Sequence, residues 1–251
     1  MIALVRSVGP SLASCELSFI DRQPIDIAIA EAEHAAYCGA LRRAGAEIAF
    51  IDPAPDHPDG AFVEDAALVL DEIAVITRPG AESRRGEVTT VATALAAYRP
   101  LSFIREPATL DGGDVVRAGR DLFIGVTART NRDGFDQLAA IASRLGYRAT
   151  PVHVGGCLHL KTAITAIDEE TLVINPRCVD AIQFAGRRLI EAAASEPSGA
   201  DVLHVNGTVL VAASAPETRD LIARAGYRTE AVDVSEFEKA EAGVTCLSIL
   251  V

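Results

Sequence analysis

The chain has 251 residues and a mass of 26.4 kDa, and its 49% hydrophobic and 23% charged residues support a large buried core. This composition excludes a disordered or collagen-like chain. The 35 acidic against 23 basic residues give a formal charge of -12, which repels phosphate backbones and anionic lipid headgroups. We therefore expect neither nucleic acid nor a membrane as a partner. A cationic small molecule suits a cleft lined by carboxylates.

The cysteines and the first residues predict a cytoplasmic protein. The five cysteines are odd in number and show no C-x-x-C spacing, so they indicate neither a disulfide framework nor a zinc ribbon. The apolar run at residues 1–6 is too short for a signal sequence, and no segment approaches ~18 uninterrupted apolar residues. Cys157, His159 and His153 could supply metal ligands, but nothing completes a set of four, so we expect no metal.

The predicted elements, taken in chain order, repeat one unit: a short apolar strand, a turn, a hairpin and an Ala-rich amphipathic helix. Three helices end in Arg-Ala-Gly or Arg-Leu-Gly, and a glycine there tolerates the left-handed conformation that closes a helix. The predicted segments are a strand at 2–6, a helix at 24–43, a strand at 47–51, a hairpin at 66–78, a strand at 99–104, a hairpin at 115–129, a strand at 148–152, a hairpin at 163–176, a helix beginning near 179, strands at 198–204, 208–213 and 228–234, and a last strand at 243–251.

The turns that precede the hairpins recur at a near-constant spacing. Equivalent positions are 47, 47, 45 and 42 residues apart, which favours five similar modules. These positions are Asp65, Gly112, His159, His204 and Cys246. The last module lacks a partner strand, which residues 2–6 supply, so the modules are expected to close into a ring around a shared channel. An ordinary doubly wound α/β sheet is the alternative that the same strands and helices also fit.

If the turns converge on the channel, they bring a thiol, an imidazole and several acids together. Cys246, His159 and an acid are the parts of a nucleophilic cysteine site, in which a thiolate attacks an electrophilic carbon and the histidine moves protons. Taken alone, Cys246 is more typical of an inert core cysteine, and His159 fits a core histidine equally well. Their combination at several module turns therefore favours catalysis.

The acids and two arginines indicate a substrate with both a cationic and an anionic end. Glu64 and Asp65 are framed by apolar residues, and burial makes a carboxylate costly unless a cation pairs with it. A planar guanidinium can satisfy several carboxylate oxygens at once. Arg84 and Arg129 stand at the matching far ends of consecutive hairpins, where they form either a clamp for a carboxylate or solvated helix starts.

In this combination the sequence resembles the dimethylarginine dimethylaminohydrolases, which belong with the arginine deiminases and amidinotransferases to the guanidine-modifying superfamily. The resemblance covers essentially the whole chain. The segments that carry it are 62–65, 76–87, 110–114, 128–131, 158–162 and 243–248. It implies an α/β fold, a five-bladed α/β propeller of ββαβ modules, formed by a single catalytic domain over residues 1–251 with its active site in the central channel.

The resemblance also implies a role for each matching residue. Cys246 would be the nucleophile, His159 the general acid and base, and Asp111 the acid that orients the histidine; bacterial relatives often carry glutamate at that last position. The residues expected to bind substrate are Leu17 through its main chain to the amino group, Asp59, Glu64 and Asp65 around the guanidinium, Arg84 and Arg129 at the α-carboxylate, and Glu241, which stands where the family usually has aspartate.

The implied reaction is hydrolysis of Nω,Nω-dimethyl-L-arginine, and of Nω-methyl-L-arginine, to L-citrulline and dimethylamine or methylamine through a covalent thiouronium on Cys246. It needs no metal and no organic cofactor. Another guanidino or ureido hydrolase, such as an arginine deiminase or a citrulline hydrolase, is one alternative. A non-catalytic protein that binds cationic amino acids is a second, although binding alone requires neither Cys246 nor His159. The protein is expected to be a monomer or a homodimer.

Overall fold

The computed structural model describes residues 1–251, and its regular structure consists of fifteen short strands and six α-helices. The strands are β1 (Ile2–Val5), β2 (Glu47–Phe50), β3 (Ala67–Val69), β4 (Ala74–Ile76), β5 (Leu101–Phe103), β6 (Val115–Ala118), β7 (Asp121–Val126), β8 (Arg148–His153), β9 (Ile164–Ala166), β10 (Thr171–Ile174), β11 (Arg188–Glu191), β12 (Val202–Val205), β13 (Thr208–Ala212), β14 (Arg228–Val232) and β15 (Ile249–Leu250). The helices are α1 (Ile27–Arg43), α2 (Val88–Leu95), α3 (Arg132–Ser143), α4 (Leu160–Ala163), α5 (Pro216–Arg224) and α6 (Ser235–Glu238).

The strands form five separate three-stranded sheets, which we number as modules 1 to 5. Module 1 has the strand order β15-β1-β2, module 2 β3-β4-β5, module 3 β6-β7-β8, module 4 β11-β10-β9 and module 5 β12-β13-β14. In each module the central strand pairs antiparallel with one neighbour and parallel with the other. The predicted five-module α/β propeller is confirmed, and a single doubly wound sheet is excluded.

Module 1 closes the ring by joining the two ends of the chain. Strand β1 pairs antiparallel with β15, with Ala3 opposite Leu250 and Leu4 opposite Ile249, and pairs parallel with β2. The strand near the start of the sequence thus supplies the partner that the last strand needs, as predicted. Helix α1, which connects β1 with β2, begins at the N-cap Asp26, whose carboxylate accepts the N–H groups of Ala28 and Ile29.

Five apolar clusters hold the ring together, one at each junction between neighbouring modules. Each cluster takes its residues from two adjacent sheets, so burial stabilises the contacts between modules as well as each module. Representative pairs are Tyr37 with Phe237 between modules 1 and 5, Leu4 with Ile76 between 1 and 2, Leu68 with Leu138 between 2 and 3, Phe123 with Phe184 between 3 and 4, and Val173 with Val209 between 4 and 5.

Module 4 differs from the prediction because it lacks the expected helix near residue 179. A single 3₁₀ turn, Ala181–Phe184, stands there instead, and the chain turns at Gly186, whose φ of 90° is left-handed, to enter β11. Glycine accepts this conformation readily and so ends the helical turn early. The predicted strand at 198–204 is also misplaced, because β12 is the first strand of the hairpin in module 5.

His204 therefore does not occupy the channel-side turn of module 5. It lies in β12, next to the hairpin tip at Asn206 and Gly207, and its Nε2 accepts the N–H of Gly207 at 3.0 Å. Both tip residues have positive φ, the pattern of a tight two-residue hairpin turn. The channel-side position belongs to the residues just before β12. No helix in the structure combines the length and the apolar character needed to cross a bilayer.

Candidate active site

A buried histidine and a buried aspartate form the centre of the channel-side turns. His159 immediately precedes α4, and its Nε2 donates to Oδ2 of Asp111 at 2.9 Å. Asp111 is fully buried and His159 is 5% exposed. A carboxylate only accepts hydrogen bonds, so Nε2 carries a proton. The opposite nitrogen, Nδ1, lies 3.9 Å from Oδ1 of Asp65.

Hydrogen bonds between backbone N–H groups and the carboxylates of Asp111 and Asp114 hold both partners in place. Oδ1 of Asp111 accepts the N–H of Gly80 at 2.8 Å. Asp114, one turn further along, accepts the N–H of Leu160 at 3.0 Å and the hydroxyl of Thr127 at 2.7 Å. Since Leu160 follows the histidine directly, Asp114 sets the position from which the imidazole reaches Asp111. This arrangement restrains the ring before any ligand arrives.

The surrounding acids keep the imidazole charged. Burial by itself lowers the pKa of His159, but the carboxylates of Asp65, Asp111 and Asp114 outweigh it and raise the pKa to about 9. Burial by itself raises the pKa of Asp65, but the positive charges of His159 and Arg84 outweigh this effect and hold the pKa below the usual range. At neutral pH the site therefore contains an imidazolium that can donate a proton.

Cys246 lies in the turn that leads into β15, and module 2 contacts its backbone. The carbonyl of Cys246 accepts the N–H of Glu64 at 3.3 Å, and the buried Tyr37 hydroxyl donates to the carbonyl of Val244 at 2.9 Å. Burial, followed by the charges of Asp201, Glu64 and Asp65, raises the pKa of the Cys246 thiol. Glu64 contacts the backbone of Cys246 and the next residue, Asp65, lies 3.9 Å from His159, so these turns meet in one region. A bound cation would favour the thiolate by offsetting these acids.

Asp201 belongs to this cluster although the sequence analysis did not select it. Its carboxylate accepts the backbone N–H of Thr245 at 3.0 Å and the Thr245 hydroxyl at 3.3 Å, next to Cys246. A Cβ on Gly243 would lie 2.5 Å from the Asp201 carboxyl carbon, so only glycine fits there. Burial, followed by the charge of Glu64, raises the pKa of Asp201 to about 7. Aligning module 5 on the start of β12 rather than on His204 would have identified this residue.

Glu64 offers an unused acceptor. Its Oε1 binds the ammonium of Lys161 at 2.6 Å, whereas Oε2 is buried and has no hydrogen-bond partner in the protein. Burial, partly offset by Lys161, raises the pKa of the Glu64 carboxyl. An unpaired buried carboxylate oxygen is costly, and an N–H donor from a ligand would remove that cost. Lys161 was another residue that the sequence analysis did not single out, although it stands two positions after His159.

The two arginines occupy different surroundings. Arg84 is buried and forms ion pairs with Asp65 at 2.5 Å and with Glu87 at 2.9 Å, while Nη2 also donates to the carbonyl of Phe62. A ligand carboxylate at Arg84 would share a guanidinium that two acids already bind. Arg129 is less engaged: Nη1 lies 4.0 Å from Oδ2 of Asp111, and Nη2 donates to the hydroxyl of Ser18 at 3.3 Å.

Three of the predicted substrate-binding residues contact one loop. We call residues 16–20 the strap; it contains Leu17, which is half-buried. Asp59, which is 5% exposed, accepts the N–H of Glu16 at 3.1 Å. Glu241 accepts backbone N–H groups of the strap, and Arg129 donates to Ser18. Asp59, Arg129, Leu17 and Glu241 are therefore brought together through the strap, whereas Glu64, Asp65 and Arg84 lie with His159 and Cys246 in the channel.

Two cavities open beside residues of the site. One, of 530 Å³, is lined by the strap residues Phe19 and Ile20 together with Asp201 and Gly243. The other, of 410 Å³, lies among the channel strands and reaches Glu64, Lys161 and Thr245. The two cavities thus border the acids Asp201 and Glu64, whereas Cys246, His159 and Asp111 line neither of them.

One group of side chains has the composition of a metal site. The ligand atoms of Asp65, Asp111 and His159 lie within 4.8 Å of one another. However, Asp65 is ion-paired with the Arg84 guanidinium, and the Asp111 carboxylate accepts the His159 proton. These contacts use the acids for protein cations, so the donor set suits an imidazolium better than a divalent metal.

Comparison with known sequences identifies one family. A family model described as N,N dimethylarginine dimethylhydrolase, eukaryotic, matches residues 18–211. A Streptomyces coelicolor protein named N(G),N(G)-dimethylarginine dimethylaminohydrolase is 42% identical over 98% of this chain and 95% of its own length. A Pseudomonas aeruginosa protein of the same name is 37% identical over 89% of each chain.

Solved structures of the same kind superpose over nearly the whole chain. The Pseudomonas aeruginosa enzyme, in a cysteine-to-serine variant complexed with citrulline, gives a TM-score of 0.93 at 34% identity and covers 98% of this chain and 97% of that one. An adduct of a dimethylarginine dimethylaminohydrolase with S-methyl-L-thiocitrulline gives 0.94 at 34% identity, with 98% of both chains covered. The N-terminal domain of a cyanobacterial arginine dihydrolase, at 17% identity and a TM-score of 0.83, shares the fold alone.

Proposed function

The chain belongs to the dimethylarginine dimethylaminohydrolase family, and we propose that it hydrolyses Nω,Nω-dimethyl-L-arginine and Nω-methyl-L-arginine to L-citrulline and the corresponding amine. The observation that carries the proposal is the His159–Asp111 pair, which lies beside Asp65, while the adjacent Glu64 contacts the backbone of Cys246. Binding a cationic amino acid would need the acids but neither the thiol nor the imidazolium. Their presence in one channel favours hydrolysis over binding alone.

The guanidinium is expected to bind beside Glu64 and Asp65. The free Oε2 of Glu64 can accept one N–H, and Asp65 supplies negative charge on the other side. The arriving cation offsets the acids that raise the pKa of Cys246, so substrate binding promotes the thiolate. Arg129 is proposed to bind the α-carboxylate together with Arg84, whose guanidinium is already paired with Asp65 and Glu87, and the main chain of Leu17 would meet the amino group.

The chemistry then proceeds in two stages on one imidazole. The Cys246 thiolate attacks the guanidino carbon, and the imidazolium of His159 donates its Nδ1 proton to the departing amine. The neutral imidazole next takes a proton from water, which attacks the thiouronium carbon and releases L-citrulline with the thiol restored. Asp111 orients the ring through Nε2. Every step uses groups that this chain supplies.

The remaining assignments are part of the same proposal. Residues 1–251 act as one catalytic domain, because the site takes residues from modules 2, 3 and 4 and from the turn that leads into β15. The protein is a cytoplasmic monomer or homodimer whose partner is a methylated arginine. Its five cysteines carry free thiols, which suits a reducing compartment.

A product assay with the Cys246→Ser variant tests the proposal. The native protein should release citrulline and dimethylamine, and mass spectrometry of the quenched reaction should find an adduct on the peptide that contains Cys246. The serine variant should retain substrate binding and lose turnover by at least about 10³-fold. Wild-type citrulline production by this variant would refute the nucleophile. Comparable turnover of unmethylated arginine would instead indicate an arginine deiminase.

A further inference from the structure

The carboxylate of Glu241 binds the backbone of the strap. Oε2 accepts the N–H of Ser18 at 2.9 Å, and Oε1 accepts the N–H groups of Phe19 and, at 2.7 Å, Ile20. Three successive N–H groups on one carboxylate form a charge-assisted cradle, which is stronger than the same bonds to a neutral acceptor. Both oxygens of Glu241 are thereby engaged by main chain from the opposite end of the sequence.

The other contacts of the strap come from different modules, so it spans the mouth of the channel. Glu16 donates its N–H to Asp59 and accepts the Ser83 hydroxyl, both in module 2. Ser18 accepts from Arg129 of module 3, whose guanidinium also approaches Asp111. Glu241 binds the strap from the segment that follows module 5. The strap therefore extends from module 2 across the site to the turn of the nucleophile.

Glu241 has a strained backbone conformation, which suggests that its side chain is needed at this position. Its φ is 57°, and Asn206 is the other non-glycine residue with positive φ. Asparagine tolerates a positive φ in a hairpin tip, whereas glutamate rarely adopts a positive φ. Glycine would adopt the same φ without strain. Glu241 thus keeps a backbone conformation that lowers stability while its side chain holds a loop. Such a combination is typical of a position under functional constraint.

We propose that Glu241 is a positioning residue that latches the strap over the channel mouth and acts on the substrate through the strap. Leu17 stands between the anchored residues Glu16 and Ser18, so the latch presents its main chain to the amino group; this last part rests on the proposed function. The carboxylate itself does not touch the guanidinium.

Backbone amide exchange of residues 16–20, measured without substrate, tests the latch. Glu241→Gly removes the carboxylate and relieves the strain, so exchange at Ser18, Phe19 and Ile20 should become at least about tenfold faster while the melting temperature does not fall. Glu238→Gln is the matched control, since Glu238 lines the same cavity but binds the hydroxyls of Ser198 and Ser214. Unchanged exchange in Glu241→Gly would overturn the latch.

Two further measurements distinguish the latch from a direct contact with substrate. The chain has no tryptophan, so Phe19→Trp places a single indole on the strap. Quenching of this indole by acrylamide should increase when Glu241→Gly or Glu241→Gln is added and stay constant with Glu238→Gln. In the activity assay, Glu241→Gln should raise KM by about tenfold and change kcat by less than about threefold. A kcat loss of about 100-fold with normal exchange would overturn the latch. Exchange and quenching need no substrate, so they stand even if no citrulline is formed.

Discussion

Replacing Asp111 with asparagine tests how the site keeps its imidazole charged. The change removes one buried charge 2.9 Å from Nε2 of His159 and keeps an oxygen that can accept the N–H of Gly80. A hydrogen bond to a charged group contributes about 1.5–3 kcal/mol, and 1.36 kcal/mol corresponds to one pKa unit. The pKa of His159 should therefore fall from about 9 to between about 7 and 8.

Nuclear magnetic resonance of labelled histidine measures this pKa directly. The resonance of His159 is identified because it is missing from the spectrum of His159→Gln. The high pKa of His159 also separates it from His34, whose burial lowers its pKa to about 4. The high-pH limb of kcat should move down by the same amount, because proton donation to the amine needs the imidazolium. Asp71→Asn, at an exposed acid paired with Arg117, serves as the control. An unchanged pKa of His159 in Asp111→Asn would refute the electrostatic account.

The titration of His159 also makes the free energy of unfolding depend on pH. The pKa of His159 in the folded protein, about 9, exceeds the value of ~6.5 in an unfolded chain. Its contribution to the free energy of unfolding is therefore fully present below about pH 6.5 and lost as the pH rises through 9, by roughly 3 kcal/mol at most. Asp111→Asn should flatten this part of the stability profile, as measured by urea unfolding.

Three further substitutions test other contacts of the site. Burial is the largest cause of the raised pKa of Cys246 and the charge of Asp201 is the next, so Asp201→Asn should lower this pKa. The amide oxygen of the new side chain can still accept the N–H of Thr245. The pH midpoint of Cys246 alkylation by iodoacetamide should therefore move down, and a midpoint that moves up would contradict this role. Gly113→Ala places a Cβ 2.7 Å from Oδ1 of Asp65 and 2.8 Å from Nδ1 of His159, so kcat should fall by at least about 100-fold while the fold, followed by circular dichroism, persists. Arg6→Ala leaves the carbonyl of Asp52 and the buried carbonyls of Gly60 and Glu87 without their donor, and urea unfolding should show a loss of about 3–5 kcal/mol. A loss below about 1 kcal/mol would mean that water replaces the guanidinium.

The ring could be predicted from the sequence because its signals are local and repeated. The glycines that end the first and last of the three similar helices, Gly45 and Gly226, have φ of 86° and 103°, as their spacing indicates. The prediction for module 4 is wrong because Ala181, Ile182 and Phe184 are apolar residues that suit a helix, whereas Gly186 ends the helical structure after one turn. This error hid the true start of module 5, and with it Asp201.

Contacts between distant segments could not be predicted in the same way. The pattern at Arg84 suggests a free clamp, but the fold places Asp65 and Glu87 against its guanidinium. Glu241 and Ser18 are 223 residues apart, and no periodicity connects them. The partner of a side chain is the group that lies close to it in space. This proximity depends on the angle between modules rather than on local secondary-structure propensity. The sequence therefore identifies which residue types enter the channel more reliably than which of them meet.

The pairing of β1 with β15 has a consequence for how catalytic competence arises. Cys246 lies three residues before β15, and β15 is positioned by β1, a strand that is synthesised long before it. A nascent chain on the ribosome that still lacks Ile249 cannot form this pairing, so Cys246 is held in place only after β15 has been synthesised. Loop closure over so long a separation is slow relative to local folding. A circular permutant that joins the present termini and opens at the Asn206–Gly207 tip would make this closure local, and it should recover activity faster after dilution from denaturant.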